Sequence, residues 1–266
     1  MKTEINGINI DYRDEGDGLP IVFIHAFPLN QSMWDEQVAT LSADFRTITL
    51  DLRGFGKSDA PEGSYSMDQM AADVHGLMSA LSIESAVLVG LSMGGYISLA
   101  FQRNYPESVR AMVLANTRAG IDTSEGRGRR MKSAEKAERE GVKAIADDMV
   151  AAFYPASRVG TRREVVARVR LMIEGNSPRG IAAAQRGMAQ RMDSTPVLPR
   201  LACPVLLIAG AVDELTPIEE AEVLRSGIRR SGLRLIDNAG HLSNLDQPEA
   251  FNAAVREFLG SLEWRP

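Results

Sequence analysis

The hydrophobic pattern of this chain switches repeatedly between the spacing typical of strands and that typical of helices. Ile8–Arg13 alternates apolar and polar residues after Asn6-Gly7, which predicts a hairpin strand. Pro20–Ile24 is a continuous apolar run, as expected for a strand buried on both faces. Further strands are predicted at Phe45–Leu50, Ala86–Val89, Val109–Leu114, Pro204–Gly210 and Arg234–Ile236.

Amphipathic segments between these runs predict helices. Trp34–Leu41 indicates a short helix, and Met67–Leu81 indicates a longer one with Ser66 as its N-cap. Helical patterns also follow at Tyr96–Phe101 and Pro248–Leu262. Strands alternating with helices are typical of a mostly parallel central sheet flanked by helices, so we predict an α/β fold.

The alternation stops near Asn116 and resumes near Leu201. The segment between is rich in charge and lacks β-branched runs, which predicts an all-helical insertion. We therefore expect a core made of residues 1–116 and 201–266, with a helical cap at 117–200. Both charge signs are interspersed in Arg127–Glu140, so we interpret that run as a solvated helix face. The other cap helices are predicted at Ala144–Phe153, Glu164–Ile173 and Arg179–Arg191.

Composition narrows the class of protein. Hydrophobic residues make up 44% and charged residues 24% of 266 residues, as in soluble globular proteins. The net charge of −5 argues against nucleic acid as a partner. The N-terminus has no apolar signal core, and no run is long enough to span a bilayer, so we expect a soluble, cytoplasmic protein with no membrane partner. The sequence leaves the oligomeric state open, a homo-oligomer included.

A single cysteine limits redox and metal chemistry. Cys203 excludes an internal disulfide and a cysteine-rich zinc site. It enters an apolar run, so we interpret it as a small buried hydrophobe. We expect no metal and no cofactor.

A Gly-x-Ser-x-Gly motif is the most informative stretch for function. Gly90-Leu91-Ser92-Met93-Gly94 lies between a predicted strand and a predicted helix. In that context a sharp turn lifts the Ser92 hydroxyl clear of the backbone, and glycines are needed because strand and helix approach closely. The turn also aims the Met93 N–H and the helix N-terminus at the space above Ser92, where they stabilise a negative oxygen.

A serine nucleophile needs a base and an orienting acid. The three histidines are His25, His75 and His241. His241 directly follows the last predicted strand and Asp213 follows another, so both lie at the carboxyl edge of the sheet with Ser92. We predict Ser92, Asp213 and His241 as a catalytic triad, in the chain order of α/β-hydrolases.

Two residues are set aside. His75 falls inside a helix and is expected to be packed or on the surface, and Glu214 is interpreted as a solvated neighbour of Asp213.

Several further motifs carry a family resemblance. Together with the turn at Gly90–Gly95, hereafter the elbow, they make the chain resemble the α/β-hydrolase fold family with a helical cap, nearest the group of esterases, 3-oxoadipate enol-lactonases and cofactor-free haloperoxidases (perhydrolases). The likeness covers nearly the whole chain outside the cap. It rests on His25-Ala26-Phe27-Pro28, Asp51–Ser58, Asp213 with Thr216-Pro217, and Gly240-His241.

The resemblance implies roles for residues in the loop after Pro20–Ile24 and in the Gly90–Gly95 turn. Phe27 and Met93 would supply the two oxyanion-hole N–H groups, and His25 would be structural or line the substrate pocket. Arg53 would be buried and paired. The family usually has His-Gly where this chain has His25-Ala26. If that position requires a positive φ, alanine costs about 1 kcal/mol and shifts the Phe27 donor.

These observations predict a serine hydrolase that acts on carboxylic esters or lactones through an acyl-enzyme, with a small-molecule substrate. Two alternatives use the same triad: perhydrolysis of the haloperoxidase type and C–C bond hydrolysis. A third is a binding module that holds a ligand without turnover, and an intact Ser-Asp-His set argues against it. Serine as nucleophile argues against haloalkane dehalogenase chemistry.

The cap is expected to select the substrate. Apolar residues that would line the pocket or pack the cap onto the core are Phe153, Tyr154, Met172, Met188 and Met192. Arg118 and Arg186 would either bind a substrate carboxylate or be solvated surface arginines.

Overall fold

A computed structural model describes residues 1–155, 160 and 162–262. Its centre is one eight-stranded sheet with the order β1-β2-β4-β3-β5-β6-β7-β8. The strands are β1 Lys2–Ile5, β2 Ile8–Glu15, β3 Pro20–Ile24, β4 Arg46–Leu50, β5 Ala86–Leu91, β6 Val109–Ala115, β7 Val205–Gly210 and β8 Ser231–Ile236.

Only the first two strands break the parallel arrangement. β1 pairs with β2 and β2 with β4 antiparallel, whereas β4, β3, β5, β6, β7 and β8 run parallel. The β1–β2 turn has positive φ at both Asn6 and Gly7, the requirement that makes Asn-Gly a hairpin signal. All side chains of β5 and β7 are buried, as expected for strands covered on both faces.

Helices cover the sheet and build the insertion between β6 and β7. In the described residues they are α1 Asp35–Leu41, α2 Met67–Ala80, α3 Met93–Asn104, α4 Ser124–Glu140, α5 Val142–Phe153, α6 Arg163–Glu174, α7 Pro178–Ala189, α8 Ile218–Gly227, α9 Ser243–Asp246 and α10 Pro248–Gly260. α2 packs on α3 and α1 on α10, while α4 packs on α7 and α5 on α6. None of the described helices combines the length and apolar character needed to cross a membrane.

The predicted strands and helices are present with shifts of a few residues, and Ser66 caps α2 by accepting the Gln69 N–H. The sequence did not predict β1, α8 or the four-residue α9. β1 is an edge strand with a single buried side chain, Ile5, and α8 buries only Ala221 and Leu224. Such sparse apolar positions give little periodic signal.

The cap helix α7 touches the core backbone directly. A Cβ at Gly180 would collide with the Gly54 carbonyl, and one at Gly187 would collide with the Tyr65 carbonyl. The two glycines are seven residues apart, so they lie on one face of the helix. The Tyr65 N–H also donates to the Ala183 carbonyl at 3.1 Å. This side of the cap therefore packs on the loop between β4 and α2 at backbone distance.

A buried ion pair supports the same loop. The Arg53 guanidinium donates to both carboxylate oxygens of Asp73, at 2.5 and 2.7 Å, with side chains 5% and 0% exposed. The Asn6 amide donates a third bond to this carboxylate at 2.9 Å. The expectation that Arg53 is buried and paired is confirmed.

We expect Arg53→Met to lower the free energy of unfolding by about 3–5 kcal/mol, because it leaves the Asp73 charge buried without its partner. Urea unfolding followed by circular dichroism measures this loss. The control is Arg234→Met, which removes a pair with Glu257 at 2.6 Å that is about half exposed. Exposed pairs contribute about 1 kcal/mol or less, so equal losses in the two variants would contradict the assignment.

Candidate active site

The Gly-x-Ser-x-Gly segment forms the turn between β5 and α3. Ser92 has φ 55° and ψ −111°, a conformation that a residue with a side chain seldom adopts. Strained backbone of this kind persists where surrounding structure enforces it, commonly at functional sites. The Ser92 carbonyl is held by the Thr117 hydroxyl at 2.7 Å.

The two outer glycines of the motif are required by close backbone approach. A Cβ at Gly90 would collide with the Gly94 carbonyl, and a Cβ at Gly94 would collide with the carbonyl of Ile24, the last residue of β3. The collision expected from the sequence at positions 90 and 94 is therefore present, and the Gly94 contact also involves the neighbouring strand.

Ser92, His241 and Asp213 form a continuous hydrogen-bonded chain. The His241 Nε2 lies 2.9 Å from the Ser92 Oγ. The His241 Nδ1 lies 2.9 Å from Oδ2 of Asp213 and 3.2 Å from its Oδ1. The three residues are separated widely in sequence and meet because each follows a strand at the same edge of the sheet. The order nucleophile, imidazole, carboxylate suits proton transfer from the serine hydroxyl.

Asp213 is held as a carboxylate by donors on every side. Its Oδ1 accepts the N–H groups of Leu215 at 2.9 Å and Thr216 at 3.0 Å, and its Oδ2 accepts the Asn116 amide at 2.9 Å. Burial raises the pKa of this carboxyl, but the His241 charge and the hydrogen bonds from His241, Asn116 and Thr216 outweigh burial and lower the pKa overall.

Asn116 links the acid to the histidine loop, a role that the sequence analysis missed. Besides Asp213, its amide reaches the Gly240 carbonyl at 3.2 Å, and its side-chain oxygen accepts the Ser243 hydroxyl at 2.6 Å. Its φ is 46°, in the left-handed region that asparagine tolerates. The available signal was that an asparagine directly follows a predicted strand, at the same edge of the sheet as Ser92.

The two backbone amides expected for the oxyanion hole belong to Phe27 and Met93. Met93 begins α3, and Phe27 lies in the loop after β3 and lines the same cavity as Ser92. In the described part of the chain neither N–H donates to a protein acceptor. Ala26 does not have a positive φ, so the expected strain from alanine in place of glycine is absent.

His25 does not line the cavity, and its expected substrate contact is corrected to a structural role. The ring is fully buried, with Nε2 accepting the Leu52 N–H at 3.1 Å and Nδ1 3.0 Å from the Ala26 carbonyl. Burial lowers the pKa of His25, with the Ala26 carbonyl and the Asp51 charge opposing that shift, and a neutral ring fits this pattern of one donor and one acceptor.

His75, Glu214 and Cys203 do not line the cavity that contains Ser92. His75 stacks on Tyr105 with ring centroids 4.0 Å apart, and Glu214 is exposed. Cys203 is buried, which raises its thiol pKa to about 11, in agreement with an inert hydrophobe.

A cavity of about 450 Å³ lies over Ser92 and His241. Phe153 stacks on the His241 ring at 5.6 Å between centroids, and Met188 lines the wall, as expected for both. Apolar lining comes from Phe27, Met149, Ala152, Phe153, Met188 and Leu215.

Other cap residues are placed differently from the sequence expectation. Tyr154 is 1% exposed and packs inside the cap rather than lining the cavity, and Met172 is likewise buried. Met192 is 61% exposed and lies outside. Of the two arginines considered for a carboxylate, Arg118 lines the cavity, whereas Arg186 pairs outside it with Glu138.

The charged run of the cap is only partly solvated, which corrects the sequence interpretation. Gly126, Arg129, Arg130 and Ser133 of α4 all line the cavity. Their spacing of three, four and seven residues puts them on one helix face. Interspersed charge looks the same in sequence whether a helix faces bulk water or a wet cavity, so the pattern alone did not separate the two.

Similarity to known proteins agrees with this arrangement. A sequence profile described as alpha/beta hydrolase fold matches residues 20–248. The chain belongs to the α/β-hydrolase fold family.

In the described residues no group of three His, Cys, Asp or Glu side chains is placed to hold a metal ion.

Relatives in this family have several activities in their names. The chain is 32% identical to 3-oxoadipate enol-lactonase 2 of Acinetobacter baylyi, over 91% of this chain and 88% of that protein. It is 34% identical to a putative non-heme chloroperoxidase of Synechocystis, over 95% of both. A thermophilic esterase from Thermogutta terrifontis superposes with a TM-score of 0.93 at 41% identity, covering 97% of this chain and 96% of that one.

We expect Gly94→Ala to destabilise the protein by about 1–3 kcal/mol or more, because its methyl group meets backbone that cannot move aside. The matched control is Gly128→Ala on the exposed side of α4, where a Cβ meets open space and alanine favours helix by about 0.5–1 kcal/mol. Thermal and urea unfolding of both variants measure the difference. A gain in both would contradict the close approach at the elbow.

Proposed function

We propose that this protein is a serine hydrolase that cleaves carboxylic esters and lactones through an acyl-enzyme on Ser92. The observation that carries the proposal is the hydrogen-bonded chain from Ser92 through His241 to Asp213 beneath a cavity. The names of the relatives, an esterase and an enol-lactonase among them, support the ester and lactone class. No metal or cofactor is assigned a role in these steps.

Acylation begins with attack of the Ser92 Oγ on the substrate carbonyl carbon. His241 Nε2 accepts the hydroxyl proton, and Asp213 stabilises the resulting imidazolium through Nδ1–H. The carbonyl oxygen becomes an oxyanion, for which the Phe27 and Met93 N–H groups are the donors. The intermediate collapses, the C–O bond to the leaving group breaks, and His241 gives its proton to the departing alkoxide.

Deacylation repeats the sequence with water as nucleophile. His241 takes a proton from water, the hydroxide attacks the acyl carbon, and Ser92 leaves with the proton that His241 returns. An ester yields an acid and an alcohol. A lactone yields one hydroxy acid, because its leaving alkoxide stays attached to the acyl chain.

Perhydrolysis is the second candidate because a relative named chloroperoxidase is 34% identical along nearly the whole chain. Hydrogen peroxide would replace water at the acyl-enzyme and release a peracid. Hydrolysis and perhydrolysis share the acyl-enzyme and differ only in the second nucleophile, so adding peroxide to an ester assay and measuring peracid separates them.

We expect Ser92→Ala to lower kcat/KM for p-nitrophenyl esters by at least about 10³-fold, since loss of a triad nucleophile leaves only binding and oxyanion stabilisation. Initial rates on acetate through decanoate esters measure it. Ser79→Ala, on the exposed end of α2, is the control and retains wild-type rates. Equal rates in the two variants would contradict the nucleophile, and folded wild type without turnover on esters or lactones would favour C–C hydrolysis or a binding module.

The pH dependence should reflect the lowered pKa of Asp213, because only its carboxylate form orients His241 and stabilises an imidazolium. A carboxyl with a lowered pKa protonates only below its ordinary range, so we expect the contribution of this carboxylate to be kept through that range and lost below it. Initial rates of ester hydrolysis against pH measure kcat/KM for wild type and for Asp213→Asn, which has no carboxylate to protonate. An Asp213→Asn variant that matches wild type at neutral pH would contradict the role of the carboxylate.

A further inference from the structure

One wall of the cavity carries more positive than negative charge. Most charges that line it are matched singly: Arg118 by Glu220 at 3.1 Å, Arg129 by Glu125 at 2.6 Å, and Asp148 by Lys136 at 2.6 Å.

Asp122 is the exception, because it serves two arginines. Its Oδ2 lies 2.5 Å from Arg130 Nε and 2.6 Å from Arg191 Nη1. Burial raises the pKa of this carboxyl, but the bonds and charges of the two arginines lower it to about 2, so the group is ionised at neutral pH. The cluster therefore has two cations and one anion, a surplus of one positive charge.

Arg191 is held in place by contacts within the protein, so the unmatched positive charge lies on Arg130. The Arg191 side chain is 3% exposed, lies over the Tyr96 ring at 4.4 Å, and donates to the carbonyls of Met188 and Gly120 as well as to Asp122. Arg130 is 21% exposed and lines the cavity.

The other guanidinium nitrogens of Arg130 meet weaker acceptors. Its Nη1 lies 3.1 Å from the Gln185 side-chain oxygen and 3.3 Å from the Met188 sulfur, both on the cavity wall, and its Nη2 is 3.4 Å from Asp122. Neutral acceptors bind a guanidinium more weakly than a carboxylate does. A carboxylate in the cavity would replace two weak bonds with charge-assisted ones.

We propose that Arg130 binds a carboxylate carried by the substrate, so that the preferred esters or lactones are anionic. The inference rests on the proposed function for the cleaved bond. The apolar wall formed by Phe27, Met149 and Phe153 suits the methylene spacer between the carboxylate and the reacting carbonyl. The Asp213 carboxylate is 0% exposed, and its charge is compensated by the donors from His241, Asn116, Leu215 and Thr216.

The test uses matched substrates that differ in one charge: mono-p-nitrophenyl esters of straight-chain diacids and the same compounds with the far carboxyl methylated. Spontaneous hydrolysis is subtracted. We expect wild type to favour the free acid in kcat/KM by about tenfold or more, as a charge-assisted hydrogen bond provides. The ratio should fall as salt is raised, because screening weakens the attraction.

Three variants test whether the preference for the free acid depends on Arg130. Arg130→Met should lower the acid-to-methyl-ester ratio by about tenfold, and Arg130→Lys should restore part of it because it keeps the charge. Asp122→Asn should raise the ratio, since it removes the anion that competes for Arg130. The matched control is Arg186→Met, an arginine of the same cap that pairs outside the cavity, and its ratio should equal that of wild type.

Binding measurements separate this inference from the proposed chemistry. Calorimetry on folded Ser92→Ala, titrated with both forms of the substrate, requires no turnover. Tighter binding of the free acid that weakens in the Ser92→Ala, Arg130→Met double variant supports the carboxylate site. Equal affinity for the two forms overturns it even if esters are hydrolysed, whereas absence of turnover in wild type overturns the proposed function alone.

Discussion

The close approach of backbone at Gly94 is the constraint on which the rest of the site depends. Because that residue has no side chain, α3 starts directly against the carbonyl of Ile24 at the end of β3. The same contact places the start of the loop that contains Phe27 against the first turn of α3, directly after the strained Ser92. One packing requirement thus brings together the turn that carries Ser92 and the loop after β3, which come from distant parts of the chain.

His241 and Asp213 meet Ser92 because the carboxyl ends of the parallel strands lie at the same edge of the sheet. Asp213 follows β7 and His241 follows β8, and Asn116 at the end of β6 bonds to both loops. Because these three strands are neighbours in the sheet, the residues that follow them lie side by side at one edge. The carboxylate is ionised because four donors compensate its burial, which is the condition for orienting an imidazole.

Much of this arrangement could be predicted from sequence because it depends on local order. Buried strands are short apolar runs, and residues just after them share one edge, so Ser92, Asp213 and His241 could be placed without coordinates. Asn116 also follows a strand, but its role could not be predicted from that position, because the role consists of contacts between two loops. The orientation of α4 and the burial of Tyr154 also escaped, because cap helices have no sheet to fix their rotation. The sequence suggested a structural role or a pocket-lining role for His25, and the structure shows that the ring is buried and hydrogen-bonded to the backbone.

The backbone contacts of α7 with Gly54 and Tyr65 have a consequence for how substrate preference diverges. A helix held at that distance cannot turn or slide without steric collision, so its residues Gln185 and Met188 keep their places in the cavity wall. Among the described residues, the glycines of α4 make no such approach to the core, and α4 contributes Arg129, Arg130 and Ser133 to the cavity wall. A substitution on that face of α4 would therefore change which molecules fit without contacting Ser92, Asp213 or His241, whereas loss of Phe153 on α5 would remove the ring that stacks on His241. Selectivity can then diverge on one helix of the cap while the triad is kept.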